Sequence, residues 1–463
     1  MTIQQAIIVG GGISGLSLAW FLKAAGVAVT LLEKEQRTGG VIRTSLAGGF
    51  LVEHGPNSTL HKPGDATDAL GRLMGSLNLE PQVANASASR RYVQKSGQLW
   101  PLPGSPGDFL QTPLFSMAAK LRLLLEPFRA KAENEESVGA FVTRRLGAEF
   151  LHWAVDPFIS GVYAGDPQRL SIRAAVPKIY ALESRYGSML RGAMALRKQG
   201  RVTGMPKGRL ISFDGGMERL TAVLRARLNE GPNPVRVVTE GEVNRIVALD
   251  AGKWQVEGGK GLKILGDVVI LAVPAFAAAK LLRPLSGVVC EQLEGIHHAP
   301  VVSMALGFDR RQVAHPLDGF GFLIPCLEGL ELLGCLFSTT LFPGRSGKDQ
   351  CMLTAFIGGT RHPTVVHRGD TELVDVAMGG LRKALGIHGD PGFIKITRYE
   401  RAIAQYELGH LQRLERMQQA LAPWPGLHLC GNFTGGVSVA DRVFNSERLA
   451  QQLGQSPWGV CKE

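Results

Sequence analysis

None of the six cysteines, at 290, 326, 335, 351, 430 and 461, stands in a CxxC or any paired spacing, so neither a disulfide framework nor a zinc site is written locally. A reducing compartment is the expectation. No stretch reaches the roughly eighteen continuous apolar residues of a membrane-spanning helix. The first 22 residues are uncharged and apolar, but no basic segment precedes them and the glycines at 10–12 interrupt the helical core of a signal peptide. They read instead as the first strand and helix of the fold, with no signal peptide. Internal repeats and low-complexity segments are missing as well. None of the eleven histidines has ligand spacing, and His297-His298 reads as a loop pair, so no metal site is expected.

What is present is ordinary for a globular chain. Its 463 residues allow roughly two to four structural units, and 45% hydrophobic with 20% charged residues exclude disorder and fibre. The charge is uneven: residues 81–210 hold 19 Lys+Arg against 9 Asp+Glu, a net of +10 out of the whole chain's +11. Such a surface suits nucleic acid, anionic lipid or an acidic substrate, and equally a plain solvated face.

The N-terminus opens as a βαβ unit: strand Ala6–Val9, a glycine turn, helix Ile13–Ala25 and strand Val27–Leu32. A short extended run follows at Phe50–Glu53 and a helix over Ala66–Leu77. From Arg90 the pattern changes to a hairpin, Arg91–Gln94 and Gln98–Trp100, and then to helices from about Met117, Val138 and Ala175. After Pro206 come helix Met217–Leu228 and runs of β character, of which Val268–Val273 is continuously apolar, as a strand covered on both faces should be. Residues 300–360 hold further strands, Thr371–Leu385 is an amphipathic helix, and the chain closes with helix Leu411–Leu421, strand Leu427–Cys430 and helix Ser438–Gln452. The fold class is α/β, with a discontinuous nucleotide domain whose first and last βα pieces share a sheet.

Gly10-Gly11-Gly12-Ile13-Ser14-Gly15 satisfies GxGxxG between a predicted strand and a predicted helix. The glycines permit the turn, the approach of backbone to a diphosphate and helix–strand packing, and the helix N-terminus favours the negative charge. Glu33, at the end of the next strand, is placed for ribose hydroxyls. Dinucleotide binding is the reading, with NAD and FAD not separated by this motif. Arg37-Thr38-Gly39-Gly40 lets a second loop approach a long cofactor, with Arg37 offering charge to phosphate. The late turn Gly431-Asn432 offers a second helix N-terminus to an electron-rich ring edge. Each of these two, taken alone, reads sooner as a tight turn.

Together these residues resemble the amine-oxidase-like flavoproteins, and within them the protoporphyrinogen oxidase branch. The pieces are GGGISGL at Gly10, GGVIRT at Gly39–Thr44, EHGPNS at Glu53–Ser58, Arg91-Tyr92, KLRLLLEPF at Lys120–Phe128, DPFISGVYAGDP at Asp156–Pro167, LSIRA at Leu170–Ala174, GCLFSTTLFP at Gly334–Pro343, IGGTR at Ile357–Arg361 and GNFTGGVSVAD at Gly431–Asp441. They run in order along essentially the whole chain. Val41 stands where many amine oxidases carry arginine, and the branch is similar in lacking it.

The resemblance implies a Rossmann-like FAD domain formed by 1–80, 206–298 and 409–463, a mixed β-sheet substrate domain at 299–408, and a mainly helical membrane-associating region at 81–205. It implies FAD held by Gly10 to Gly15, Glu33, Lys34, Arg37, Gly40 and Val41, by the turn Gly55, Pro56, Asn57 and Ser58, by Val243 beside the adenine, and by Val437, Ser438 and Val439 near the isoalloxazine. Arg91 would pair with a substrate propionate, Leu323 and Phe337 would sandwich the macrocycle, and Ala164-Gly165 would lie beside the ring. From the residues alone Arg91 is a surface cation, Val243, Leu323 and Phe337 are core, and Ala164-Gly165 is a turn.

The implied reaction is a six-electron oxidation of protoporphyrinogen IX with O2 as acceptor in tetrapyrrole biosynthesis. No general base is assigned. Expected partners are a tetrapyrrole with propionates, O2, the inner face of the cell membrane contacted peripherally from the cytoplasm through the amphipathic stretch Lys120–Lys131, and a second copy in a homodimer, but no nucleic acid. Coproporphyrinogen III is the alternative substrate. More distant rivals are another flavoenzyme of the superfamily and a non-catalytic binding protein of the GDP-dissociation-inhibitor kind.

Overall fold

The computed structural model describes residues 3–198, 208–231 and 233–453. The expected boundary at 205/206, Cys461 and the last ten residues lie outside them. The strands of the two main sheets are, in chain order, β1 (Gln5–Val9), β2 (Ala28–Leu32), β3 (Arg91–Lys95), β4 (Gln98–Pro101), β5 (Arg236–Val238), β6 (Val268–Leu271), β7 (His298–Asp309), β8 (Gly321–Leu323), β9 (Leu332–Phe337), β10 (Gln350–Gly358), β11 (Phe393–Ala404) and β12 (Leu427–Leu429). The helices that position the site are α1 (Ile13–Ala24), α2 (Met117–Leu124), α3 (Asp156–Tyr163), α4 (Asp370–Leu385) and α5 (Val439–Gln452).

The first sheet is five-stranded, in the order β5-β2-β1-β6-β12, and parallel throughout. Its strands are short apolar runs because both faces are covered. Ile8 of β1 packs with Leu16, Leu18 and Leu22 of α1 and Val443 of α5, whereas its neighbours Ile7 and Val9 face a second core with Ile246, Val256 and Leu293. Pieces from the start, middle and end of the chain thus share one sheet.

The second sheet is seven-stranded, in the order β11-β7-β10-β9-β8-β3-β4. It is antiparallel except where β8 runs parallel to β3. One face is covered by α4, whose Leu373, Ala377, Leu381 and Leu385, four residues apart, form a single buried stripe. Gly386 ends this helix in the left-handed region, at φ +60°. The hairpin β3–β4, read from sequence as part of the helical region 81–205, extends this second sheet instead. Residues 81–90 carry too little signal to reveal which sheet edge receives the strand that follows.

The rest of the basic segment is helical, and much of its charge is consumed internally. Arg145 is wholly buried between Glu126 and Glu183, and Arg144 pairs with Glu136 and Glu183. The amphipathic stretch Lys120–Lys131 is not one helix: α2 ends at Leu124 and Pro127 starts a short 3-10 turn, Glu126–Phe128. Nor does Lys120 face outward. It is buried and donates to the carbonyls of Leu110 and Thr112, at 2.8 Å each. Among the described residues no helix is long and apolar enough to cross a membrane.

Candidate functional site

Three loops meet at the carboxyl ends of β1, β6 and β12, where open α/β sheets bind their ligands. Gly10 leaves β1 at φ +110°, and a Cβ there would press on the Ala272 carbonyl beyond β6. A side chain on Gly15 would strike the Gly10 carbonyl, whereas Gly12 has no atom near the place its Cβ would take. The glycines therefore divide the work as turn, open approach and helix packing. Helix α1 begins at Ile13 and Ser14 with Gly12 as N-cap, no side-chain cap and no acid in its first turn, so its amide dipoles face an open cradle.

The second glycine loop lies against the first. Gly39 donates its N–H to the Gly11 carbonyl at 2.7 Å, and Gly40, at φ +59°, stands over Gly12. Glu33 accepts from the amides of Gly11, at 2.8 Å, and Glu35, at 2.9 Å, and the Gly241 amide reaches the Glu33 carbonyl, which brings the start of the Val243–Ala248 strand alongside. Arg37, read as a phosphate partner, spends its guanidinium on the carbonyls of Thr38, Gly40 and Ile42 and approaches Glu218 at 3.7 Å. It fastens its own loop. Lys34 is on the surface beside Glu35, at 3.4 Å.

Val41 is exposed, with its carbonyl under Gly55 at the head of the Gly55–Ser58 turn, and the Asn57 amide caps the Gly55 carbonyl at 3.3 Å. That turn follows Glu53, a buried hub that accepts from Thr44 Oγ1, the Met217 amide and Arg345 at 2.6–2.8 Å. Burial raises the Glu53 carboxyl above its ordinary range, with Arg345 opposing. Gly431 packs against Phe433 and the Val273 carbonyl, and the Asn432 carbonyl accepts from Tyr406. Past Val437, Ser438 caps α5 in a reciprocal box with Asp441, ahead of Val439.

The second half of the site is a face of the second sheet, and register decides its members. Residues directly opposite one another point the same way. Arg91 pairs with Gly321, Gly321 with Leu336 and Leu336 with Thr354; Val93 pairs with Leu323, Leu323 with Gly334 and Gly334 with Phe356. Arg91, Leu323, Leu336 and Phe356 thus share one face. Phe337 lies on the other, 0% exposed among Phe322, Cys335, Leu353 and the α4 stripe. The expectation that Phe337 contacts a ligand is corrected on this ground, because successive strand residues alternate faces. Leu336 and Phe356 are the apolar members that sequence reading missed, because only the register between β8, β9 and β10 puts them on the face of Leu323.

Of the adjacent arginines, Arg90 pairs with Asp318, which also accepts from the Tyr92 hydroxyl at 2.8 Å. Arg91 is exposed, lies 5.3 Å over the Phe320 ring and has no carboxylate partner among the described residues. Leu323 tucks against Gly161 of α3. Beyond α3, Ala164 adopts φ +49° and its carbonyl accepts from the Thr360 amide at 2.8 Å, while Gly165 packs on Gln405, whose amide holds the Tyr163 carbonyl at 2.7 Å. Arg361 bridges Asp156 and Asp166 at 2.6 and 3.1 Å. The GGTR segment therefore clamps both ends of the DPFISGVYAGDP segment to the sheet.

The two halves join through rings. Tyr163 meets Tyr406 at 6.0 Å, and Tyr406 stacks on His410, which bonds the Phe433 carbonyl at 2.9 Å. Burial pushes the Tyr163 phenol up to about 12 and the His410 imidazole down to about 4. Among the described residues no cluster of His, Cys, Asp or Glu could hold a metal ion.

Residues 13–452 match the family described as flavin containing amine oxidoreductase. Coproporphyrinogen III oxidase of Bacillus subtilis is 28% identical over 460 residues, covering 95% of this chain and 96% of its own. The mitochondrial protoporphyrinogen oxidase of Nicotiana tabacum is 30% identical over 473 residues, covering 94% and 92%. The chloroplastic protoporphyrinogen oxidase of Oryza sativa subsp. japonica is 33% identical over 480 residues, covering 97% and 88%. Among solved structures, a candidate protoporphyrinogen oxidase from Exiguobacterium sp. 255-15 superposes with a TM-score of 0.81 at 25% identity, over 98% of this chain and 99% of that one.

Proposed function

The chain belongs to the flavin containing amine oxidoreductases, and on that premise we propose that it oxidises protoporphyrinogen IX to protoporphyrin IX with O2 as electron acceptor. Its cofactor is FAD. The cradle fits that group: Gly12 leaves the space a backbone-bound diphosphate requires, α1 presents an uncapped N-terminus, and Glu33 closes the first βαβ unit. Gly10–Gly15, Glu33, the Gly39–Val41 loop, the Gly55–Ser58 turn, Val243, Gly431-Asn432 and Val437–Val439 would hold it.

The observation that carries the substrate reading is the free Arg91 at the rim of the apolar face formed by Leu323, Leu336 and Phe356. A porphyrinogen is a large apolar ring with carboxylate arms, and a guanidinium offers a carboxylate a bidentate, permanently charged partner. Bound FAD supplies the two-electron acceptor. Six hydrogens leave the macrocycle in all, and three O2 become three H2O2. The protein's share is to hold the ring: Arg91 fixes one propionate, the apolar face excludes water, and the Ala164-Gly165 turn, packed on Gln405, lies beside it. Released protons pass to solvent, since among the described residues no side chain on this face is placed as a base.

Coproporphyrinogen III is the second reading, favoured by the near full-length match to the Bacillus subtilis enzyme. A fluorescence assay of the flavin-loaded protein under air, given each porphyrinogen separately and corrected for autoxidation, decides between them. A much higher rate on protoporphyrinogen IX supports the first. A preference for the other substrate moves the protein to the second, and no acceleration of either refutes both.

The same reading includes peripheral contact with an anionic membrane. Met117, Leu121, Leu124, Leu125 and Phe128 are exposed along α2 and the turn after it, with Phe128 at 79%, and Arg129 is exposed beside them. This apolar strip, more than the basic excess, supports a bilayer surface as partner.

A further inference from the structure

The nucleotide half of the molecule contains a buried charge with no counter-charge among the described residues. Arg442, in the first turns of α5, is 4% exposed. Its Nη1 donates to the Gly431 carbonyl, while Nε and Nη2 are buried without a partner, and no carboxylate pairs with it among the described residues. Asp441, the residue before it, is engaged with Ser438 in the cap of α5. Leaving a guanidinium unpaired in a protein interior is costly, and buried charges are normally matched by an opposite charge.

Its place in the fold indicates the match. α1 and α5 each follow a strand of the same parallel sheet and cover the same face, so they run in the same direction. Ser446 of α5 donates to the Ser14 carbonyl in the first turn of α1, at 2.9 Å. Arg442 is one helical turn, about 5.4 Å, nearer the strand ends. That brings it level with the Gly10–Gly12 loop and against Gly431. Of the two cations expected to hold FAD, Arg37, the one read as a phosphate partner, is engaged on the carbonyls of its own loop, and Lys34 lies beside Glu35. Arg442 would add a fixed positive charge to the backbone amides that a diphosphate on this loop would meet.

We propose that Arg442 is the fixed counter-charge for the diphosphate of FAD, an inference that rests on the FAD assignment above. A yellow, flavin-loaded wild-type protein establishes that assignment independently. The test compares the affinity of the full chain for FAD with its affinity for riboflavin, which lacks phosphates, by flavin fluorescence titration. Arg442→Gln should weaken FAD about ten- to a hundredfold, the range of a lost charge-assisted hydrogen bond, and leave riboflavin unchanged. Unchanged FAD affinity, or equal loss on both ligands, would overturn the proposal, the latter marking Arg442 as a shaper of the Gly431 turn. Should the glutamine variant not fold, Arg442→Lys decides: it keeps the charge, so FAD-over-riboflavin selectivity should stay within about threefold of wild type, and a larger loss overturns the proposal.

Discussion

The nucleotide cradle and the proposed substrate face are built by opposite means. The cradle works through backbone: Gly10, Gly12 and Gly15 lie within one strand–turn–helix unit, and what matters is the side chains they lack. The proposed substrate face works through side chains carried on β3, β8, β9 and β10, more than 200 residues apart in sequence at the extremes. A local device tolerates no bulk, while a device assembled by register tolerates some trimming but no slip of one residue.

The largest effect should come from bulk in the cradle. Gly15→Val places its side chain on the Gly10 carbonyl, and we expect loss of essentially all bound flavin and a sharp drop in soluble yield, read by absorbance of the purified protein. Retention of normal flavin content would mean the cradle is not the cofactor's seat.

Two neighbouring truncations sharpen the register argument. Phe337→Ala should cost about 3–5 kcal/mol of stability, seen as a fall in Tm, with KM of the surviving enzyme unchanged. Leu336→Ala should raise KM several-fold with little change in Tm. If the two results exchange places, the assignment of faces is inverted.

The paired arginines separate a spent charge from a free one. Arg91→Ala should raise KM for the porphyrinogen about ten- to a hundredfold, as expected for a charged hydrogen bond, with flavin content intact. Arg90→Ala, whose partner is Asp318, should change KM less than about threefold. Equal effects would remove the distinction.

The junction between the halves should titrate. His410 is held neutral by burial, with its pKa lowered from 6.5 to about 4. Between these values the unfolded chain binds a proton that the folded one refuses, so the stabilisation present above pH 6.5 is lost as pH falls towards 4. The loss is about 3 kcal/mol by the usual conversion. Thermal melts of wild type and His410→Gln across that range should show a steeper acid slope in the wild type, and parallel curves would place the titration elsewhere.

The smallest catalytic effect should come from the helical surface. Leu121→Glu with Phe128→Glu should reduce co-sedimentation with vesicles containing anionic lipid, while leaving turnover of detergent-dispersed porphyrinogen close to wild type. Undiminished vesicle binding would move the contact away from α2.

Legibility followed the same divide. The glycine loop, Glu33 and the closing βα unit were readable because each is a short-range pattern of strand, turn and helix. Helix Ala66–Leu77 starts in fact at Ala69, because Asp68 caps the Gly71 amide. Arg37 and Lys120 were readable as cations, but not as cations committed to carbonyls, since those acceptors are offered by loop geometry.

By itself, then, the sequence determined the parallel nucleotide sheet and its glycine cradle, and their order along the chain. Alternation and backbone chemistry are local properties. The tertiary structure alone decided that the Arg91 hairpin joins a sheet made some 200 residues later, that Leu336 rather than Phe337 shares its face, and that Arg442 is buried with no carboxylate beside it among the described residues. Those outcomes depend on which strands meet and in what register, and pairing between distant segments leaves no periodic trace in either one.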